Sequence, residues 1–245
     1  MNVVAIIQAR TNSTRLPNKV FYKLKGKCLL EHVVLRLKPS RKLNNIVIAS
    51  TTNPNDDKVE QLANLMGIEC YRGSEFNVLD RYYQTAIKYN ADIIVRITAD
   101  DPFKDYRIVD NAIEILEDGR YDFVCNNNPA SFPEGLDVEV MTFSALEDSY
   151  LNAISDFQKE HVTQYIHQNK LKFKLFNIEL DNNRSENRWT IDTIEDFNFA
   201  SQVYENLYSE NQIFLTEQIF QLIEDYPELK LINSSIPKSE MYKTI

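Results

Sequence analysis

The chain has 245 residues, of which 43% are hydrophobic and 26% are charged, and its formal net charge is −9. These values predict a globular protein with a substantial core, built as one large α/β domain or as a domain with a smaller appendage. The negative charge argues against binding to nucleic acid, whose phosphates require a basic surface. No apolar run approaches the ~18 residues of a membrane span, and Gln8 and Arg10 interrupt the apolar run that a signal peptide would need. We therefore expect a cytoplasmic protein that contacts no membrane.

Short apolar runs alternate with helical patterns through the first half of the chain. The runs, which are uncharged or nearly so, predict buried strands at 3–7, 46–50, 68–71, 93–97 and 121–125. Apolar residues three and four positions apart predict helices between them at 29–37, 56–66, 78–89 and 107–116. Strands that alternate with helices in this way predict a mainly parallel central sheet with helices on both faces, the α/β fold class.

The rhythm changes after residue 126, where two clusters of turn-forming residues interrupt it. The segment that follows predicts a strand at 136–140, helices at 143–153 and 156–169, and a strand at 173–178. We interpret 126–188 as a small α+β excursion from the main sheet. The main pattern then returns with a predicted strand at 188–192 and helices at 194–208 and 216–225.

The loop after the first predicted strand is the strongest sign of a binding site. It carries three positive charges within ten residues, on Arg10, Arg15 and Lys19, together with small polar side chains such as Ser13. Ligands of open α/β sheets bind beyond the carboxyl ends of the strands, so these cations favour a phosphate site over an ordinary basic surface loop. The sequence contains neither a P-loop nor a Rossmann glycine motif, so side-chain cations would have to neutralise the phosphates.

Two acidic positions follow predicted strands at the same edge. Asp100 comes directly after the strand at 93–97, and Asp192 ends the predicted strand at 188–192. Mg²⁺ prefers one or two carboxylates together with phosphate oxygens and water, so the two aspartates are candidate metal ligands beside the basic loop. The alternative is helix capping, which explains Asp192 less well because Thr193 is the better placed cap.

These residues resemble a known family. The segment 4–20, VAIIQARTNSTRLPNKV, is similar to the opening of the sugar-activating cytidylyltransferases, which include the CMP-sialate and CMP-ketodeoxyoctonate synthetases. The closest similarity is to the spore-coat polysaccharide SpsF-like branch. Further similarities follow in order at 72–74, 78–82, 96–102, 133–139, 160–163 and 189–196.

The resemblance implies a GT-A-like nucleotidyltransferase fold over 1–245 and transfer of CMP from CTP to a sugar or sugar acid, with release of pyrophosphate. It implies that Arg10, Arg15 and Lys19 bind the triphosphate with help from Ser13, and that Asp100 and Asp192 hold Mg²⁺. Arg72 and the segment at Gln8 and Ala9 would approach the cytosine. It also implies that the excursion at 126–188 binds the acceptor and forms a homodimer, and that the product serves surface polysaccharide biosynthesis.

Four residues of the excursion are candidates for contact with the acceptor sugar. Asp137 and Glu139 alternate with apolar neighbours, so they line either the substrate or an exposed strand face, and Glu160 and His161 are either acceptor ligands or a pair on a helix surface. Two other functions stay open at this point. One is a glycosyltransferase that uses a finished nucleotide sugar, and the other is a nucleotide-binding regulatory protein without catalysis.

Overall fold

Seven strands form one sheet, and a separate two-stranded hairpin lies beside it, in the computed structural model, which describes residues 1–239. The strands are β1 (Val3–Gln8), β2 (Lys23–Leu24), β3 (Lys27–Cys28), β4 (Asn45–Thr51), β5 (Glu69–Gly73), β6 (Ile93–Thr98), β7 (Phe123–Cys125), β8 (Glu139–Thr142) and β9 (Leu175–Asn177). The helices are α1 (Leu29–Leu37), α2 (Asp57–Met66), α3 (Val78–Lys88), α4 (Tyr106–Glu117), α5 (Phe143–Asn152), α6 (Asp156–Glu160), α7 (Gln164–Gln168), α8 (Ile194–Leu207) and α9 (Thr216–Asp225).

The sheet has the strand order β5-β4-β1-β6-β8-β7-β9. Strands β5, β4, β1 and β6 run parallel, with Ile6 of β1 opposite Val47 on one side and Arg96 on the other. Strand β8 lies antiparallel between β6 and β7, so a strand from the excursion at 126–188 enters the main sheet. The predicted fold class is confirmed, because the sheet is mainly parallel.

Both faces of the sheet are buried, which is why the central strands are continuously apolar. Val3, Ala5 and Ile7 of β1 point to a cluster that includes residues of α1, α2 and α4. The alternate residues Val4 and Ile6 point to a second cluster, which includes residues of α3, α5 and α7. Helices therefore cover both faces, as the sequence predicts.

The predicted strand at 188–192 is wrong. Its alternating residues Trp189 and Ile191 are buried in a third apolar cluster with α8 and α9, and the segment forms a single isolated bridge instead of a strand. The backbone N–H of Trp189 donates to Glu134 O at 2.7 Å, and that of Ile191 donates to Asp100 O at 2.9 Å. The segment thus joins two different parts of the chain through isolated hydrogen bonds, without a continuous ladder to either.

The excursion differs from its prediction at two places. The single helix predicted at 156–169 is divided into α6 and α7, because Val162 between them has a left-handed φ of 52° that a helix cannot contain. The strand predicted at 136–140 begins only at Glu139. None of the helices within residues 1–239 has the length and apolar character that crossing a membrane would require.

Candidate active site

The basic loop after β1 is shaped by a buried carboxylate. Asp56 accepts hydrogen bonds at 2.7 Å from both the backbone N–H and the hydroxyl of Thr11. The loop then turns back on itself, since Asn18 donates its N–H to Thr11 O at 2.9 Å and adopts a φ of 59°, a conformation that asparagine tolerates. The turn brings Lys19 close to the end of β6, where its side chain contacts Asp100.

Lys19 joins the two predicted metal ligands. Its ammonium donates to Asp100 Oδ2 at 2.5 Å, to Asp192 Oδ1 at 2.8 Å and to Ile191 O at 2.9 Å. Burial alone would lower the pKa of Lys19, but the charges of Asp100 and Asp192 raise it above its ordinary value. The structure therefore brings Lys19, Asp100 and Asp192 together as the sequence predicts.

The pair Asp100 and Asp192 fits Mg²⁺ only together with other oxygen ligands. Within residues 1–239 no three or more histidine, cysteine, aspartate or glutamate side chains are grouped to hold a metal. Two carboxylates are the usual protein share of a magnesium site whose remaining ligands are phosphate oxygens and water. The position between the two carboxylates also accepts a cation, because the Lys19 ammonium lies there.

The neighbouring acids Asp100 and Asp101 have opposite pKa shifts. Burial favours the neutral form of both, but the charge and hydrogen bond of Lys19 lower the pKa of Asp100 to about 2. Burial and the nearby charge of Asp100 outweigh the Lys104 ammonium and raise the pKa of Asp101. Neither aspartate caps the next helix, since Asp105 performs that role.

Arg188 fixes the position of Asp192 from the opposite side. Its guanidinium contacts Asp192 Oδ2 at 2.8 Å, Glu134 Oε1 at 2.6 Å and Asp196 Oδ1 at 3.0 Å, and the side chain is almost fully buried. Burial lowers the pKa of Arg188, but these carboxylates raise it above its ordinary value, so the group stays charged. Asp192 therefore contacts three cations, Lys19, Arg188 and Arg15, and the Arg15 Nη2 atom lies 2.9 Å from Asp192 Oδ2.

Three neighbouring cavities lie at or near this group, and adjacent cavities share lining residues. A cavity of about 540 Å³ and one of about 290 Å³ share Thr14, Arg15, Thr98, Asp100, Glu160 and Asp192. The second cavity shares Gln8, Arg10 and Glu160 with a third of about 120 Å³. After the ligands that the resemblance in sequence implies for their lining residues, we call them the acceptor cavity, the phosphate cavity and the base cavity, in this order.

The phosphate cavity collects the cations of the basic loop. Arg10, Arg15 and Lys19 line it together with Ser13, Asp100 and Asp192. Arg15 is about half exposed, and Arg10 Nη2 is 3.8 Å from Glu160 Oε1 in an exposed pair. Both guanidiniums therefore face space that a polyphosphate can enter.

Three residues that line the base cavity have a buried polar side-chain atom with no hydrogen-bond partner among the described residues. The atoms are Gln8 Oε1, an acceptor, and the Nε–H groups of Arg81 and Arg96, which are donors. Arg81 is almost completely buried, and burial lowers its pKa to about 10. Ala9 also lines this cavity, whereas Arg72 lies elsewhere. The Arg72 guanidinium donates to Thr51 O and Asn53 O and pairs with Asp57, so the structure does not bring it to Gln8 and Ala9.

All four acceptor candidates, Asp137, Glu139, Glu160 and His161, line the acceptor cavity. Glu139 is buried, and its carboxylate contacts Arg96 Nη1 and accepts from Thr163 Oγ1 at 2.8 Å. Burial favours its neutral form, but Arg96 lowers the pKa of Glu139 far below its ordinary value. An exposed strand face is therefore excluded for Glu139, and the group forms part of a buried ion pair at the cavity wall.

Comparison with known proteins identifies the family of the chain. The sequence profile of the cytidylyltransferases matches residues 4–223. The chain belongs to the cytidylyltransferase family. Family membership supports nucleotidyl transfer, and it favours that reaction over the glycosyltransferase and regulatory alternatives.

Several relatives of this cytidylyltransferase match nearly their whole length. The uncharacterized protein MJ1063 of Methanocaldococcus jannaschii is 39% identical, with coverage of 100% of this chain and 99% of that protein. The spore coat polysaccharide biosynthesis protein SpsF of Bacillus subtilis is 32% identical, with coverage of 89% and 92%. The solved structure of a cytidylyltransferase from Leptospira borgpetersenii has a TM-score of 0.90 at 32% identity and covers 98% of this chain and 99% of that one.

Sequence reasoning did not single out three residues of this cytidylyltransferase as site residues, namely Asp56, Arg81 and Arg188. Arg81 had a detectable signal, because it lies three residues after Val78 on the buried face of α3, where an arginine is unusual. Arg188 and Asp56 had none, since Glu134 and Thr11, which they contact, are distant in the chain and only the fold brings them together.

Proposed function

We propose that the protein transfers CMP from CTP to a hydroxyl of a sugar or sugar acid, releases pyrophosphate and requires Mg²⁺. The observation that carries the proposal is the Lys19 ammonium between Asp100 and Asp192, at the junction of the phosphate and acceptor cavities. Cations that can bind a triphosphate, Lys19 and Arg15, thus lie in direct contact with carboxylates that can bind a metal, Asp100 and Asp192.

The base cavity supports cytosine as the nucleobase. Cytosine presents one amino donor and two acceptors, N3 and O2, on its Watson–Crick edge. Gln8 Oε1 is a buried acceptor for the amino group, and Arg81 Nε–H is a buried donor for an acceptor atom. Buried polar atoms without partners favour ligands that complete their hydrogen bonds, because desolvated groups are costly to leave unpaired.

In the proposed reaction the residues bind and neutralise charge, and no covalent intermediate with the protein is needed. An acceptor hydroxyl attacks the α-phosphorus, the bond from that phosphorus to the pyrophosphate oxygen breaks, and the hydroxyl proton leaves to solvent. Arg10, Arg15 and Lys19 offset the negative charge on the triphosphate and on the leaving pyrophosphate. Mg²⁺, when bound by Asp100 and Asp192, supplies further positive charge at the phosphate oxygens.

The surface of the excursion at 126–188 supports a homodimer. It exposes three large apolar side chains, Leu151, Ile154 and Leu171, each more than two thirds exposed. Lys172, next to Leu171, pairs with Asp148 at 2.6 Å, which brings this segment close to α5, the helix that carries Leu151. Grouped exposed apolar residues are typical of protein interfaces. The name of the Bacillus subtilis relative further supports a role in surface polysaccharide biosynthesis.

Nucleotide binding and pyrophosphate release test the proposal. Calorimetric titration of the full chain with CTP, UTP, ATP and GTP in the presence of MgCl₂ should give the tightest binding for CTP. Pyrophosphate release is then measured with CTP and a panel of sugars and sugar acids, and EDTA should abolish it. Equal binding of all four nucleotides would contradict the base assignment, and turnover in EDTA would contradict the metal requirement.

A further inference from the structure

Arg96 borders two of the three cavities. It lies in the central strand β6, and it lines both the base cavity and the acceptor cavity but not the phosphate cavity. Glu160 and His161 are the other residues that these two cavities share. The base cavity shares Gln8, Arg10 and Glu160 with the phosphate cavity. The residues shared with each neighbour thus differ, apart from Glu160, and Arg96 belongs to the set shared with the acceptor cavity.

The connectivity of a nucleotide limits which of its groups can reach Arg96. A ribose carries the base at C1′, the phosphates at C5′ and free hydroxyls at C2′ and C3′. In the proposed function the base and the phosphates occupy the base cavity and the phosphate cavity, so the hydroxyls are the branch that is left for the boundary with the acceptor cavity. The 2′-hydroxyl is the nearer of the two to the base, because C2′ is bonded to C1′. Since Arg96 lines the base cavity and not the phosphate cavity, we expect it to meet this hydroxyl.

The guanidinium of Arg96 has hydrogen-bond donors to offer. An arginine side chain carries five N–H donors. Within residues 1–239 the guanidinium of Arg96 makes a single hydrogen bond, from Nη1 to Glu139 Oε2, and its Nε–H is buried without a partner. Unpaired donors on a largely buried side chain are unfavourable, so a ligand oxygen that accepts from this guanidinium would gain affinity. The oxygen of a ribose hydroxyl is such a hydrogen-bond acceptor.

The position of Arg96 is fixed by its neighbours in the protein. Glu139 lies directly opposite Arg96 in the pairing of β6 with β8, and both side chains are buried. The other carboxylate oxygen of Glu139, Oε1, accepts from Thr163 Oγ1 at 2.8 Å, which holds the carboxylate in place. A donor that is fixed before the ligand binds discriminates well, because an analogue without the hydroxyl leaves the donor unpaired in the complex.

We propose that Arg96 donates a hydrogen bond to the 2′-hydroxyl of the bound nucleotide and thereby selects ribonucleotides over 2′-deoxyribonucleotides. The inference rests on the proposed function, which assigns the base and the phosphates to their cavities. Arg96 is then a binding residue for the nucleotide, and it takes no part in the making or breaking of bonds. The contact connects the nucleotide to the excursion at 126–188, since Glu139 and Thr163 both belong to that segment.

Nucleotides that differ in one hydroxyl test this assignment without any acceptor sugar. Calorimetric titration of the full chain in MgCl₂ compares CTP with 2′-deoxy-CTP and 3′-deoxy-CTP. We expect 2′-deoxy-CTP to bind about tenfold or more weakly than CTP, the scale of a lost hydrogen bond to a charged donor, and 3′-deoxy-CTP to bind within about threefold of CTP.

Variants of the buried pair test whether Arg96 is the donor. Arg96→Lys keeps a positive charge opposite Glu139 but lacks the planar set of N–H donors, so it should bind CTP about as weakly as wild type binds 2′-deoxy-CTP. Arg96→Met combined with Glu139→Leu removes both buried charges and should lose the discrimination in the same way. Thermal unfolding checks that both variants fold. Arg120→Lys is the matched control and should discriminate like wild type, because Arg120 is exposed, pairs with Asp118 and lines none of the three cavities.

The outcomes separate this inference from the proposed function. Equal binding of CTP and 2′-deoxy-CTP to wild type would overturn the inference, and so would a larger loss with 3′-deoxy-CTP than with 2′-deoxy-CTP. Discrimination retained by a folded Arg96 variant would overturn the role of Arg96. In each of these cases tight CTP binding would leave the proposed function intact, whereas failure of wild type to bind CTP would overturn both.

Discussion

The backbone N–H of Ile191 donates a 2.9 Å hydrogen bond to the carbonyl of Asp100. This bond joins two segments that are far apart in the chain and places Asp192 next to Asp100, although 188–192 is not a strand of the sheet. The two carboxylates can then share the Lys19 ammonium. The candidate metal site therefore depends on a single crossing of loops at the sheet edge.

Removal of either carboxylate charge should abolish turnover without unfolding the protein. Asp100→Asn and Asp192→Asn preserve shape but weaken metal binding, and we expect a loss of roughly 10²-fold or more in kcat, the scale on which single electrostatic groups act. Pyrophosphate release measures the effect, and circular dichroism checks the fold. Asp118→Asn, which removes an exposed carboxylate, is the control and should retain full activity. Full activity of the two site variants would disprove the metal assignment.

Arg188 should be required both for stability and for the position of Asp192. Arg188→Met leaves the buried carboxylates Glu134 and Asp196 without their cation, which typically destabilises by about 3–5 kcal/mol. Urea denaturation measures the free energy of unfolding. Arg188→Lys should not restore it, because one ammonium cannot reproduce three directed contacts. Wild-type stability of Arg188→Lys would show that charge alone is sufficient.

The ion pair of Arg96 and Glu139 should contribute stability that acid removes. The pKa of Glu139 is lowered in the folded protein. The ionised carboxylate therefore stabilises the fold at pH values above the ordinary glutamate pKa of about 4.3. This contribution is lost progressively as the pH falls from that value toward the lowered pKa. Glu139→Gln should therefore destabilise by about 3–5 kcal/mol at pH 7, and the difference from wild type should decrease at low pH. Urea titrations at several pH values between 7 and 3 test this, and a difference independent of pH would contradict it.

Gly135 should tolerate no side chain. It has a φ of 106°, and a Cβ there would lie 2.5 Å from Thr190 N, so Gly135→Ala combines backbone strain with a backbone clash. Gly26 also has a positive φ of 87°, but a Cβ there meets nothing within 4 Å. Gly26→Ala should thus show only the strain, about 1–2 kcal/mol, and Gly135→Ala clearly more. Thermal unfolding of both variants measures the difference, and equal losses would show that the clash is relieved.

A charge on the apolar side of the excursion should dissociate the proposed homodimer. Ile154→Asp places a carboxylate on a side chain that is 86% exposed, and we expect a mainly monomeric protein by analytical ultracentrifugation. Leu65→Asp is the matched control, because Leu65 is 85% exposed but belongs to α2, outside the excursion. An unchanged dimer in Ile154→Asp, or dissociation by Leu65→Asp, would exclude this surface as the interface.

The regular elements could be predicted because their apolar periodicity is local. Helix α1 has the predicted bounds of 29–37, and the other helices of the first half differ by one residue or two. The pattern at Trp189 and Ile191 was misleading because alternation shows which side chains are buried and does not show which backbone pairs with them. The break at Val162 gave no signal, since valine rarely adopts a left-handed backbone.

The site could be predicted in its charges but only partly in its contacts. Arg10, Arg15, Lys19 and Asp100 were found because they follow β1 and β6, and strand ends meet at one edge. Asp192 was also found, but through a predicted strand that the structure does not contain. The structure keeps Arg72 with Asp57 and brings the buried Arg81 to the base cavity. Such choices depend on which helix packs beside which strand, and no local pattern contains that information.

Glu160 is shared by all three cavities, and it lies 3.8 Å from the Arg10 guanidinium. A triphosphate that takes Arg10 as its partner releases this carboxylate toward the acceptor. The two substrates should therefore enter in a compulsory sequence, nucleotide first. Product-inhibition patterns in steady-state kinetics would then show the order of product release. Pyrophosphate leaves last if it keeps its contact with Arg10, and it leaves first if Arg10 does not hold it.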